Sequence, residues 1–302
     1  MYIWKSQVIT RYLNPSSGIC LNVLATAARY GDPDLATEVF EVLGKRSTVF
    51  NLEHYELLLD AYVRAKDIKS AMTVLCIMHK SGCGLEDEST RNLYDFFREK
   101  ASRVLRAREI LSNLHDEGED IPLAALNCLI RALVETGDLS TGISVYKSIH
   151  ELCSSKPSTQ TFDILLRGCR DPVRMDLAMF LVAEMRALEV APGQLTFDRL
   201  VLICTSAGAL DDACKYYREL CMENFTLRSG TIRRFLWCLG AAGDARAWDI
   251  VSKLEGTLQS DMRAIIEKAW RNARKEDKAN EEEGGKFVGL SGDAALEIAG
   301  FA

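Results

Sequence analysis

The chain has 302 residues, of which 48% are hydrophobic and 26% charged, the ordinary balance of a globular protein. Its formal net charge of −6 at pH 7 excludes the dominant basic field of most nucleic-acid-binding domains, so any nucleic-acid contact must rest on local charge. No apolar run in the sequence reaches the length of about 18 residues that a membrane-spanning helix requires.

The first segment, residues 1–17, is predicted to be an N-terminal extension or the remnant of a preceding repeat. Residues 1–30 contain Lys5, Arg11 and Arg29 and no acidic residue. This bias is a weak feature of mitochondrial transit peptides. A start cut from a longer protein explains it equally well.

Residues 18–256 are predicted to form about seven helix-turn-helix repeats. Seven positions recur at spacings of 35 or 36 residues and are the repeat anchors: Cys20, Tyr55, Arg91, Leu126, Phe162, Phe197 and Ile232. In six repeats an apolar pair follows three and four residues later, which places anchor and pair on one face of a first helix. The third repeat differs, because Tyr94 and Asp95 stand where the pair is expected.

The remainder of each repeat predicts a turn and a second helix. Glycine lies eleven residues after four of the anchors, at Gly31, Gly137, Gly208 and Gly243. Glycine there would end the first helix in a left-handed conformation, and the acidic residues that follow would cap the second helix. Sixteen residues after the anchor, six repeats carry a small residue, such as Ala178, that allows close helix packing. The seventh repeat has Trp248 there, which marks it as degenerate or as an end cap.

The segment after the repeats differs in composition. Residues 257–271 are predicted to form a C-terminal capping helix, because their apolar residues recur at helical spacing. Residues 272–302 are predicted to be disordered, because they are rich in charged and small residues.

The segment Leu126–Ile149, LNCLIRALVETGDLSTGISVYKSI, resembles a pentatricopeptide repeat, as do residues 161–192 and 197–224. The period of 35 and the late prolines favour this family over tetratricopeptide repeats, which have a period of about 34 and remain an alternative. The divergence of the repeats is similar to that of fungal and animal mitochondrial members. The resemblance implies an all-α fold, a right-handed α-solenoid with a concave face. It also implies single-stranded RNA as the ligand and a mitochondrial location.

The resemblance further implies that two positions per repeat read one RNA base. One directly follows the anchor, and in the third to sixth repeats it is occupied by Asn92, Asn127, Asp163 and Asp198. The other is the last residue of the repeat. Only Asn127 with Ser158 fits the preferred pairing of the family, which implies a pyrimidine. The other repeats depart from it, which puts sequence-specific reading there in question.

A second set of candidate RNA contacts comes from charge. Nine residues after the first three anchors lie Arg29, Arg64 and Lys100, late in the predicted first helices. The next two repeats have Glu135 and Asp171 at this position. Basic side chains in one register predict a track for the phosphate backbone along the N-terminal three repeats. An ordinary solvated helix surface is the alternative.

The sequence contains no recognisable catalytic motif: phosphate loop, nucleophile elbow, zinc-protease and deaminase patterns are all missing. We therefore predict no enzyme, no catalytic residue, no cofactor and no small-molecule substrate. His79, His115 and His150 share one register, but helices pack about 8–10 Å apart and zinc–nitrogen bonds are about 2 Å, so no metal site is predicted. The ten cysteines are predicted to be reduced core thiols.

Two functions remain open. The first is an organellar RNA-binding factor acting in the processing, stability or translation of a mitochondrial transcript. The second is a scaffold that holds a partner peptide or helix on its concave face. The scaffold is favoured by the pI near 5.4 and by the acidic residues of the first helices: Glu56, Glu135, Asp163, Asp171 and Asp198.

Overall fold

The computed structural model of the protein describes residues 2–10, 13–46, 48–85, 89–171, 173–254 and 256–288. All regular secondary structure in this part of the chain is helical, with a π-helical turn at Lys5–Ile9. In chain order the helices are α1 (Tyr2–Trp4), α2 (Ser17–Tyr30), α3 (Pro33–Gly44), α4 (Leu52–Arg64), α5 (Ile68–Lys80), α6 (Arg91–Arg98), α7 (Ala101–Asp116), α8 (Leu123–Glu135), α9 (Leu139–Lys147), α10 (Ile149–Leu152), α11 (Thr159–Gly168), α12 (Met175–Ala187), α13 (Gln194–Ser206), α14 (Leu210–Met222), α15 (Ser229–Ala241), α16 (Arg246–Ser252) and α17 (Gly256–Val288).

The helices alternate as the repeat pattern predicts. The anchors lie on the first helices α2, α4, α6, α8, α11, α13 and α15. The second helices are α3, α5, α7, α9 with its extension α10, α12, α14 and α16. The predicted all-α helix-turn-helix architecture is therefore confirmed.

The chain divides into two compact units, residues 1–168 with 188–190 and residues 169–187 with 191–302. In the first unit the first helices contact one another in the order α2, α4, α6, α8 and α11, and α5 contacts α7. In the second unit α13 contacts α14 and α15, and α17 packs along α15. Neighbouring repeats thus cover the apolar stripes that a single repeat leaves exposed.

The third repeat presents a different face to the core. In the fourth repeat the anchor Leu126 and its apolar pair are fully buried, as predicted. In α6, however, Leu93 and Phe97 are the fully buried residues, while the anchor Arg91 is exposed. A charged side chain resists burial without a partner, so the core-facing stripe of this helix is displaced along the sequence.

Small residues are predicted where the helices pack closely. Five of them are fully buried: Ala36, Ala71, Ala107, Ala178 and Ala213. In the seventh repeat the position is displaced by one residue. Ala247 is fully buried, and Trp248 remains 46% exposed. The assignment of Trp248 to this position was therefore wrong. Only a small side chain fits where the helices pack closely, and α16 is rotated so that Ala247 lies there.

The turn after the first helix has the same geometry in most repeats. The predicted glycines adopt φ values of +65° to +83°, and a Schellman pair of backbone hydrogen bonds closes each helix end. In the second repeat Lys66 holds this position with φ of +64°. Its amide donates to Val63 O at 3.0 Å, and the Asp67 amide donates to Tyr62 O at 3.0 Å. A residue with a Cβ atom thus adopts a conformation that favours glycine.

We expect Lys66→Gly to stabilise the protein. A non-glycine residue in the left-handed region costs roughly 1–2 kcal/mol, partly offset by the extra entropy of glycine in the unfolded chain, which leaves about 0.5–1 kcal/mol of gain. Chemical denaturation measures the change. The reciprocal control is Gly137→Lys, where φ is +83° and no atom lies within 4 Å of a built Cβ. If that control did not destabilise, backbone strain would not limit these turns.

The C-terminal helix α17 continues to Val288, beyond the boundary predicted at residue 271. Alanine, glutamate, lysine and arginine dominate the continuation, and all favour helix. Met262, Ile266 and Ala269 are buried. A Cβ atom at Gly240 of α15 would lie 3.1 Å from the carbonyl oxygen of Ile266, so glycine permits the close packing. Residues 289–302, within the segment predicted to be disordered, lie outside the described residues.

Two further sequence-based expectations concern side chains and membranes. Cys128, Cys169 and Cys204 are buried as predicted. Cys83, Cys153 and Cys238 are only half-buried and Cys221 is exposed, so the prediction of core thiols was wrong for these four. Burial raises the pKa of Cys169 and of Cys204 to about 12, so these thiols stay protonated and unreactive. Among the described helices, none combines the length and hydropathy of a membrane span.

Candidate nucleic-acid interface

The basic side chains predicted to contact the phosphate backbone are all exposed. Arg29 lies in the last turn of α2, and Arg64 is the last residue of α4. Lys100 is not in a first helix, contrary to prediction, because α6 ends at Arg98 and Lys100 lies in the turn before α7. All three are exposed, and among the described residues none of them forms an ion pair with a carboxylate. These cations are therefore available to an anionic ligand.

The C-terminal ends of α2 and α4, which carry Arg29 and Arg64, approach each other closely. A Cβ atom built on Gly31 would lie 3.0 Å from Cβ of Arg64, and Gly31 has φ of +65°. Glycine is thus required here both for its conformation and for the contact. The contact brings the helix ends carrying Arg29 and Arg64 together, where the negative end of each helix dipole favours a cation.

The positions that follow the anchors lie largely between neighbouring first helices. Asn127 is only 3% exposed, and its Oδ1 accepts a hydrogen bond from Thr161 Oγ1 at 2.9 Å. Asp198 is 4% exposed and accepts from the amide of Arg228 at 2.9 Å and from Thr231 Oγ1 at 3.0 Å. Each bond links one first helix to the start of the next. These residues therefore connect the repeats, whatever else they contact.

The predicted pair Asn127 and Ser158 is brought together through Thr161. The Ser158 amide donates to Thr161 Oγ1 at 3.1 Å, and the same hydroxyl donates to Asn127. Ser158 itself is half-buried at the start of α11. Both members of the pair thus adjoin one hydroxyl group at the junction of two repeats.

The other two predicted positions differ in setting. Asn92 is half-buried, and its Nδ2 donates to Oδ1 of Asp60 on the preceding first helix. Burial raises the pKa of the Asp60 carboxyl group, and the bond from Asn92 opposes this shift. Asp163 is a buried residue of α11.

A basic cavity lies on the first helices α6, α8 and α11, and sequence reasoning did not identify it. Its volume is about 500 Å³, in the range of small-ligand sites. The lining residues are Arg91, Tyr94, Asp95, Arg98, Arg131, Glu135 and Arg167. Four arginines against two carboxylates give the lining a net charge of +2.

The side chains of the cavity are held in place by defined contacts. The Arg131 guanidinium lies over the ring of buried Tyr94, 4.5 Å from its centroid. Arg98 pairs with Asp95 at 3.6 Å, and Arg167 pairs across repeats with Glu135 at 2.5 Å. Stacking on an aromatic ring fixes the plane of the Arg131 guanidinium group within the cavity lining. The cavity is thus suited to bind an anion.

A signal for this cavity was present in the sequence. Arg91, Tyr94 and Asp95 are the residues that break the repeat pattern in the third repeat. Arg131 and Arg167 both lie five residues after their anchors. Residues that violate a structural pattern often serve function, and here they line one cavity.

The histidine register has a structural setting. His79 Nε2 lies 3.2 Å from Asp120 Oδ2, and Ser154 Oγ donates to the same oxygen at 2.7 Å. The Ser154 bonds and His79 lower the pKa of Asp120. Among the described residues, no cluster of three or more histidine, cysteine or carboxylate side chains could hold a metal ion.

Comparison with known proteins extends the sequence resemblance. The family profile described as "Pentatricopeptide repeat-containing protein" matches residues 17–149. One pentatricopeptide repeat-containing protein of Arabidopsis thaliana is 30% identical over 94 residues, covering 30% of this chain and 16% of the relative. A second from the same plant is 21% identical over 213 residues, covering 68% of this chain and 37% of the relative.

Similarity to a solved structure supports the fold. The maize pentatricopeptide repeat protein PPR10, in complex with an 18-nt psaJ RNA element, superposes with a TM-score of 0.53 at 15% identity. The match covers 96% of this chain and 41% of PPR10. The chain thus spans less than half the length of each of these proteins. The resemblance to pentatricopeptide repeat proteins and the α-solenoid fold class are confirmed.

Proposed function

We propose that this chain, a repeat protein of the pentatricopeptide type, binds single-stranded RNA along its first helices and acts in the processing, stability or translation of a mitochondrial transcript. The observation that carries the proposal is a set of exposed cations nine residues after the first three anchors: Arg29, Arg64 and Lys100. None of the three forms an ion pair with a carboxylate among the described residues. Cations repeated along a solenoid match the repeating charge of a phosphate backbone. The RNA-bound state of the structurally similar PPR10 supports the same ligand class. The proposed activity is binding, without catalysis.

The acidic residues that favoured a protein scaffold are largely engaged within the fold. Glu56 accepts from Ser89 Oγ at 2.7 Å, and Asp198 accepts from two groups of the next repeat. Glu135 is paired with Arg167. A carboxylate occupied by its own protein contributes little attraction to a basic partner. The structure therefore weakens the main argument for a scaffold and supports RNA.

The test is the salt dependence of RNA binding by the purified chain. The affinity is measured by fluorescence anisotropy with a labelled single-stranded RNA. The logarithm of the affinity should fall linearly with the logarithm of the salt concentration, with a slope of about −0.7 per phosphate contacted. Confocal imaging of the tagged protein checks the mitochondrial location. If affinity for RNA were absent, or independent of salt, a protein-binding scaffold would replace this proposal.

We expect Asn127→Asp to change base preference at one RNA position. Asp keeps the oxygen that accepts from Thr161 but replaces the amide nitrogen, so the repeat junction stays intact while a donor toward the base is lost. Comparing four RNAs that differ at that position gives affinity ratios, in which the uniform effect of the added charge cancels. Equal ratios for wild type and variant would mean that Asn127 serves the repeat junction alone.

A further inference from the structure

We propose that the cavity lined by the four arginines on α6, α8 and α11 binds one phosphate group of the RNA, and that Glu135 competes with that phosphate for Arg167. This inference rests on the proposed function and extends it. The predicted phosphate track ends at the third repeat, because the fourth has Glu135 where the first three have cations. The cavity would continue the phosphate track with cations at another position of the repeat, five residues after the anchor instead of nine.

The continuation is formed by arginines five residues after the anchors. Arg131 and Arg167 lie on α8 and α11, which contact each other directly. Arg91 and Arg98 on α6 complete the lining. Arginine guanidinium groups bind phosphate oxygens through paired N–H donors, and stacking of Arg131 on Tyr94 fixes one of these groups before RNA arrives.

Glu135 is poorly placed for stability alone. It is the last residue of α8, where the negative end of the helix dipole disfavours an anion. Its carboxylate is held by Arg167, with side-chain exposures of 24% for Glu135 and 52% for Arg167. A partly exposed ion pair of this kind contributes little to folding. The carboxylate therefore occupies Arg167 as an internal anion, which a phosphate group displaces.

The sharpest test is a variant that gains affinity, because loss of folding cannot produce a gain. Glu135→Gln should raise affinity for single-stranded RNA about fivefold at low salt, which corresponds to removing one like charge about 4 Å from the phosphate. The log–log salt slope should become steeper by about 0.7, because Arg167 then releases one further counterion. In the Glu135→Gln background, adding Arg131→Gln and Arg167→Gln should weaken binding about fivefold per arginine and flatten the slope by about 1.4.

The matched control is Glu219→Gln. Glu219 pairs with Arg186 across repeats at 3.2 Å, and the side-chain exposures of 51% and 25% nearly equal those of the Arg167–Glu135 pair. Glu219 lies on α14 and is not among the residues lining the cavity. Its removal changes net charge equally and should leave the salt slope unchanged.

The outcomes separate this inference from the proposed function. Loss of all RNA binding in wild type would overturn both. Salt-dependent RNA binding in wild type, with Glu135→Gln behaving like Glu219→Gln, would overturn the cavity alone. If Glu135→Gln raised affinity for a poly-glutamate peptide but not for RNA, the cavity would serve an acidic protein partner and the inference would be wrong.

Discussion

Replacing Arg29, Arg64 and Lys100 together with alanine should weaken binding to single-stranded RNA of any sequence and flatten the log–log salt slope by about 2. Each side chain is exposed and forms no ion pair with a described carboxylate, so each can neutralise one phosphate. Three contacts at about 0.7 each give the expected change. The measurement is anisotropy across a salt series with several RNA sequences.

The control variant removes the same charge elsewhere in the same repeats. Lys45, Lys69 and Arg106 are exposed residues on the second-helix side of the first three repeats. Replacing them with alanine lowers net charge equally, so a general effect of net charge would appear in both triple variants. If the two variants had the same salt slope, the register would be ordinary solvated surface.

Ala178→Trp should destabilise the second unit by about 3 kcal/mol or more. Ala178 is fully buried on α12, which packs against α13. An indole there must displace neighbouring side chains or separate the helices, and overpacking by much smaller groups already costs roughly 1–3 kcal/mol. Calorimetry should show a melting temperature lower by about 6–12 °C.

Ala183→Trp is the matched control for this substitution. Ala183 lies on the same helix but is exposed, so the same side chain finds room in solvent. The control should change the melting temperature little. Equal melting temperatures for the two variants would mean that α12 buries a different face.

The sequence alone determined the repeat architecture. Periods of 35 or 36 residues, apolar pairs at helical spacing and glycines at the turns predict alternating first and second helices, and the structure confirms them. This information is local, because helical periodicity and the left-handed turn depend on residues within one repeat. The sequence also shows the exception, because Lys66 lies eleven residues after Tyr55, where four other repeats have glycine.

Only the tertiary structure decided how individual side chains are used between repeats. Asn127 and Asp198 satisfy hydrogen-bond donors of the following repeat, and Ala247 replaces Trp248 at the close helix packing. The cavity on α6, α8 and α11 combines residues of three repeats, up to 76 positions apart in the sequence from Arg91 to Arg167. A repeat pattern predicts the helices and turns within each repeat, but not the contacts of individual side chains between repeats. Which polar groups meet depends on the rotation of each helix against its neighbours, and that rotation is set by packing across repeats.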